Sequence, residues 1–182
     1  MILFCSDVHG RKSSTDKLIK VIKKLKPTKI VMLGDFLYNG PRNGVPKDYD
    51  PMYVSQALNN YADMIIGIKG NCDSRIDETL LEFKLNDSNV VKIDGYIFNL
   101  VHGDRFNENL INMQRYEVLC YGHTHVYRLE VKNHVCYFNS GSISFPKNGL
   151  PATYGVCDNG ILKIIDLEND LVLSELNLKD SL

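Results

Sequence analysis

The chain has 182 residues, the size of one domain with room for a substantial core. Its 21 basic and 22 acidic residues leave a net charge of −1, so no field of one sign draws it to nucleic acid or to an anionic membrane. Five cysteines at 5, 72, 120, 136 and 157 are odd in number, share no short spacing and fall mostly in apolar runs, which reads as reduced thiols of a cytoplasmic protein.

Residues 1–6 form a short apolar run with no basic leader, and no later run has the length of a bilayer span. The run reads as a buried strand of a parallel sheet and ends in Ser6-Asp7-Val8-His9-Gly10. Leu18, Ile19, Ile22 and Leu25 then form a helical stripe, with Ser14 or Thr15 as its cap, lysines on its solvated face and Pro27 as its stop. Lys29–Leu33 is a second strand, parallel to the first, and it ends at Gly34-Asp35. A Gly-, Pro- and Asn-rich loop spans 38–44 and contains Arg42. A helix follows over 51–60, then a strand over 63–68 ending at Gly70-Asn71-Cys72-Asp73, then a short helix over 75–83.

From residue 88 the chain turns to β. Runs at 90–93 and 96–101 flank Asp94-Gly95, a hairpin signal, and the second run ends at His102. Residues 107–115 read as helix or loop. A strand over 117–121 leads into Gly122-His123-Thr124-His125. Runs at 127–131 and 135–138 form a hairpin around Lys132-Asn133-His134, and runs at 153–157, 161–166 and 171–176 read as antiparallel strands. The βαβα start and the β-rich remainder predict an α/β fold of two packed sheets flanked by helices, in one domain over 1–182.

Five strands therefore end in polar clusters, and sites in open α/β sheets form at the carboxyl ends of strands. Taken singly, each cluster is ordinary turn composition. Together they hold four of the five histidines; the fifth, His134, sits in a hairpin turn. His123 and His125 share one strand face by their i, i+2 spacing. The donor set of carboxylate, amide oxygen and imidazole suits Mn²⁺, Fe²⁺ or Zn²⁺ more than Ca²⁺. Seven side chains exceed one tetrahedral ion and match two ions roughly 3.5–4 Å apart that share a carboxylate.

In order and spacing, Asp7-x-His9, Gly34-Asp35, Gly70-Asn71-x-Asp73, His102 and Gly122-His123-x-His125 resemble the calcineurin-like metallophosphoesterase superfamily. Gly40-Pro41-Arg42-Asn43, Asn71-Cys72-Asp73-Ser74, Tyr121–His125, Phe138–Ser142 and Pro151–Gly155 are similar to its small bacterial YfcE-type phosphodiesterase branch. The resemblance implies a four-layer α/β/β/α fold. It implies that Asp7, His9 and His125 hold a first divalent transition metal, that Asn71, His102 and His123 hold a second, and that Asp35 bridges them. Mn²⁺ is the expected metal, with Zn²⁺, Fe²⁺ and Ni²⁺ as alternatives. The implied reaction is phosphodiester hydrolysis by a metal-bridging hydroxide. Cys72 stands where many superfamily members carry a histidine acid, and a thiol of ordinary pKa, about 8.5, keeps its proton at neutral pH. Arg42 is either a contact to substrate phosphate or a solvated loop arginine. The implied partner is a small phosphodiester, with self-association into a homo-oligomer open. Two other readings remain: a metal-dependent phosphatase acting on monoesters or nucleotides, and a silent scaffold of the retromer-subunit type, although this sequence keeps all seven ligand positions.

Overall fold

The computed structural model describes residues 1–105 and 117–181. In chain order the elements are β1 (Ile2–Cys5), α1 (Lys12–Leu25), β2 (Lys29–Met32), α2 (Pro51–Asn59), β3 (Ile65–Ile68), α3 (Asp77–Leu80), β4 (Leu85–Asn86), β5 (Ser88–Ile93), β6 (Tyr96–Val101), β7 (Glu117–Tyr121), β8 (Arg128–Lys132), β9 (Val135–Asn139), β10 (Thr153–Asp158), β11 (Ile161–Asp166), β12 (Val172–Asn177) and α4 (Leu178–Ser181). A seven-stranded sheet runs β12-β11-β10-β1-β2-β3-β4 and a five-stranded sheet runs β5-β6-β7-β9-β8. Strands β1 to β4 are parallel, as are β6, β7 and β9, so both sheets are mixed.

The central strands are apolar on both faces because both faces are covered. Leu3 and Cys5 of β1, with Ile30 and Met32 of β2, pack toward Leu18, Val21 and Ile22 of α1 and Val54 and Leu58 of α2. The alternate residues Phe4 and Val31 point the other way, against Phe98, Leu100, Val118 and Phe138 of the second sheet. Phe4 meets the ring of Phe138 edge-on at 5.1 Å. Truncating such a fully buried ring costs about 3–5 kcal/mol. Three two-residue turns, Asp94-Gly95, Asn133-His134 and Asn159-Gly160, have positive φ at both positions, the geometry that matches strand twist in tight hairpins.

Several expectations need correction. Helix α1 begins at Lys12, so Ser14 and Thr15 lie inside it; its N-cap is Arg11, with no side-chain cap of its own. The acceptor comes instead from Asp48, whose carboxylate takes the Ser13 N–H at 3.1 Å and the Arg11 Nε–H at 3.2 Å. Residues 62–64 form a 3-10 turn before β3, α3 covers only four residues, and β4 has two. Strands β10–β12 are antiparallel as expected, and β10 pairs with β1, which places them in the seven-stranded sheet. The helix or loop expected at 107–115 lies outside the described residues. All five cysteines are free, and among the described residues no helix is long and apolar enough to cross a membrane.

Candidate metal centre

Strands β1, β2 and β3 are neighbours in one sheet, and β6 and β7 are neighbours in the other. Their carboxyl ends meet, and each releases a polar side chain into the same space. Two groups result. In the first, His125 Nε2 lies 3.3 Å from Asp7 Oδ1 and 3.3 Å from His9 Nε2. In the second, Asn71 Oδ1 lies 3.0 Å from His102 Nε2 and 2.8 Å from His123 Nδ1. Asp35 Oδ2 faces both, 3.6 Å from His9 Nε2 and 3.4 Å from His102 Nε2. All seven sequence-derived ligands are thus gathered. The first group is buried, whereas Asn71 is exposed and His123 half-buried.

Backbone carbonyls set the ring orientations. The Nδ1–H groups of His9, His102 and His125 donate to the carbonyls of Tyr38 (2.8 Å), Leu33 (2.6 Å) and Phe145 (2.6 Å). This leaves each Nε2 pointing inward, the outer-shell arrangement that orients imidazole ligands. His9 and His125 then present lone pairs to one another, and the buried Asp7 Oδ1 beside them has no hydrogen-bond partner. Buried acceptors rarely go unpaired. Three acceptors converging on one point fit a cation, and the mixed N/O donor set fits a divalent transition metal.

The chain reaches this geometry through costly backbone conformations. Asp7, His9, Asp35, His123 and His125 all have φ between 52° and 64°, a region sparsely populated by residues other than glycine. Neighbouring bonds hold them. The Asp7, His9 and Gly10 N–H groups donate to the carbonyls of Gly34, Asp35 and Phe36. Ser142 Oγ donates to the Asp7 carbonyl at 2.9 Å, and Ser144 Oγ to that of Val8 at 2.6 Å. Asn139 Nδ2 donates to the Gly122 carbonyl at 2.9 Å. The buried Asp73 carboxylate collects the N–H groups of Gly70 (2.7 Å), Asp35 (2.8 Å) and Phe36 (2.7 Å), tying β2 to β3 below the site. Two glycines permit the closest approaches. A Cβ on Gly70 would lie 2.1 Å from Asp35 Oδ1, and one on Gly122 would lie 1.9 Å from Ser6 Oγ.

Burial works against ionising Asp35, but the His102 ring beside it, the Cys72 N–H at 2.9 Å and His9 hold the carboxyl down to about 2. Burial likewise opposes a charge on His102, but Asp35 outweighs it and lifts the imidazole to about 9. Burial lowers His9 and His123, which keeps both rings neutral and able to ligate. Burial, and then Asp35, push the Cys72 thiol up to about 12.

A cavity of about 320 Å³ opens over the centre. Cys72, His123, Arg42 and Lys147 stand on its walls. Arg42 is exposed and Cys72 half-buried, with Asn71 Nδ2 at 3.3 Å from its sulfur. The chain-order reading missed the three carbonyls that orient the histidines, which have no side-chain signature. It also missed Lys147 and the clamping roles of Asp73, Ser142 and Ser144.

The sequence pattern of the calcineurin-like phosphoesterase superfamily domain matches residues 1–160. Phosphodiesterase YfcE of Escherichia coli (strain K12) is 37% identical over 177 residues, covering 96% of each chain. Phosphodiesterase MJ0936 of Methanocaldococcus jannaschii is 26% identical over 164 residues, covering 84% of this chain and 89% of that one. The solved structure of the E. coli phosphoesterase YfcE superposes with a TM-score of 0.93 at 36% identity, covering 97% of this chain and 98% of that one. Vacuolar protein sorting 29 from Cryptosporidium parvum shares the fold, with a TM-score of 0.65 at 19% identity and 97% of each chain covered.

Proposed function

The chain belongs to the calcineurin-like phosphoesterase superfamily, whose members are phosphoester hydrolases, and from that premise we propose that it is a metal-dependent phosphodiesterase working through two divalent ions. The observation that carries this reading is the convergence of the buried Asp7 Oδ1, which has no hydrogen-bond partner, with His9 Nε2 and His125 Nε2, and of Asp35 turned toward both this group and His102. Asp7, His9, His125 and Asp35 would hold one ion; Asn71, His102, His123 and Asp35 would hold the other. Mn²⁺ is the favoured metal, with Zn²⁺, Fe²⁺ and Ni²⁺ as alternatives. When bound, two such ions supply Lewis acidity toward the phosphoryl oxygens and an acidified bridging water as nucleophile.

The chain's own residues do the rest. The three backbone carbonyls hold the Nδ1 sides of the imidazoles, fix the ring planes and turn each Nε2 toward the centre. Asn71 and His123, on the solvent side, border the space that a phosphoryl oxygen would enter. Arg42 stands on the cavity wall with donors suited to phosphate. Cys72, held protonated, is unsuited to attack; it lines the wall as a weak proton donor, so the enzyme favours esters of acidic alcohols. The phosphodiester preference is carried over from the two relatives named above. A cytoplasmic setting goes with this reading, on the five free cysteines.

Protein purified without chelator should carry up to two transition-metal ions per chain by elemental analysis. With Mn²⁺ it should hydrolyse bis(4-nitrophenyl) phosphate faster than 4-nitrophenyl phosphate, and EDTA should abolish both. Failure to take up Mn²⁺, or turnover that survives EDTA, would sink this reading; preference for the monoester would move it to a phosphomonoesterase.

A further inference from the structure

Two loops orient the buried histidine pair, and each also carries a cation to the mouth of the cavity. The loop after β2 supplies the Tyr38 carbonyl to His9, and four residues later it places Arg42 on the cavity wall. Asn39 Nδ2 closes this loop onto the Gly44 carbonyl at 2.9 Å, and Asn43 Nδ2 donates to the Asn39 carbonyl at 2.8 Å. The loop after β9 supplies the Phe145 carbonyl to His125, and two residues later it places Lys147 on the wall. The Lys147 N–H donates to the His125 carbonyl at 3.1 Å. Both cations are therefore held in register with the metal ligands. Among the described residues no carboxylate pairs with either side chain, and the only carboxylate lining this cavity is Asp35.

On the two-metal diesterase reading, the charge at the centre balances without these two cations. Two divalent ions carry four positive charges. Asp7 and Asp35 remove two, the nucleophile removes one, and the single charge of a simple diester removes the last. A simple diester therefore already neutralises the centre. Arg42 and Lys147 remain as an unbalanced positive pair beside it. We infer that Arg42 and Lys147 form a second anion subsite, selecting phosphodiesters whose retained arm carries a further negative group such as a carboxylate or phosphate. Arg42 offers a planar fork for such a group and Lys147 a point charge. Both are exposed, so the gain is modest. Two exposed, salt-screened charge contacts give a preference of about three- to tenfold.

The test compares 4-nitrophenyl phenyl phosphate with 4-nitrophenyl 4-carboxyphenyl phosphate on the Mn²⁺-loaded enzyme. In both, water adds to phosphorus, the bond to 4-nitrophenolate breaks and a proton is released, so only the retained arm differs. The carboxylated ester should show a kcat/KM about three- to tenfold higher. That ratio should fall toward one in Lys147→Ala and in Arg42→Ala, persist in Lys147→Arg, and shrink at high salt. Lys92→Ala, on exposed β5, should leave both rates unchanged. Calorimetric binding of 4-carboxyphenyl phosphate against phenyl phosphate makes the same comparison without turnover. Equal kcat/KM and equal affinity in the unsubstituted enzyme would overturn the subsite. A ratio that both alanine variants leave intact would also overturn it, since the cations would then serve the scissile phosphate alone. Loss of all turnover with the affinity preference retained would fail the diesterase reading and leave the subsite standing.

Discussion

Asp35→Asn removes the carboxylate that faces both halves of the candidate centre. Its effect separates into two measurements. In the metal-free protein, Asp35 and His102 form a buried ion pair at 3.4 Å. The carboxyl falls from 3.8 to about 2, which at about 1.4 kcal/mol per unit is about 2 kcal/mol. His102 rises further, from 6.5 to about 9, because Asp7 and the Leu33 carbonyl also favour its cation; the smaller figure is thus the better measure of the pair. Asp35→Asn should therefore lower the His102 pKa by more than one unit in an NMR titration and lower metal-free stability by about 2 kcal/mol near pH 7. With metal, outer-shell losses of about 10–100-fold set a floor, and removing a carboxylate that the proposal shares between two ions should exceed it. We expect kcat/KM to drop more than about 100-fold and the metal content to fall below two per chain. A variant with two tightly held ions and activity within tenfold of the parent would refute the bridging role.

The His102 cation also makes metal uptake pH-dependent. Its folded pKa of about 9 lies above the unfolded 6.5, so its stabilisation is full below about pH 6.5 and lost as pH rises to about 9. The metal-free protein should lose up to about 3 kcal/mol over that window in denaturant titrations. Over the same window its affinity for divalent ions should rise, with a proton released on binding; a flat profile would contradict the assigned pair. Gly122→Ala should drive a methyl into Ser6 Oγ and toward Asp7 Oδ2, costing about 1–3 kcal/mol and displacing Asp7, with the loss read as weakened metal retention. His134→Gly, in a hairpin turn at φ 62°, should raise stability by about 1 kcal/mol and leave kcat/KM unchanged; a fall in activity would give His134 a role that its turn position does not suggest.

The strand ends were readable because two demands coincide there. A buried parallel strand must be apolar throughout, so the abrupt Asp or His after Phe4-Cys5, Met32-Leu33 and Leu119-Cys120-Tyr121 stands out. Hairpin turns such as Asp94-Gly95 were readable for a local reason, the demand for positive φ. What escaped was non-local. The cap of α1 comes from Asp48, distant in sequence, so Ser14 and Thr15 looked like better candidates than the helix needs. β4 has two residues and carries no period. The carbonyls of Leu33, Tyr38 and Phe145 belong to residues whose side chains do other things. Lys147 sits in a loop where one lysine looks like any other, and only its bond to His125 marks it.

The pairing of β10 with β1 has a consequence for how the chain is made. Ile2, Leu3 and Phe4 are matched with Cys157, Val156 and Gly155, so β1 lacks one neighbour until Cys157 has left the ribosome. Until then β1 is an apolar edge open to mispairing. Asp7 and His9, which follow it, wait for His123 and His125 beyond β7 and for the Ser142–Ser144 segment as well. Contacts this distant in sequence slow folding. The centre therefore assembles late, and a metal ion captured earlier by loose histidines of the nascent chain would meet only part of the candidate cage.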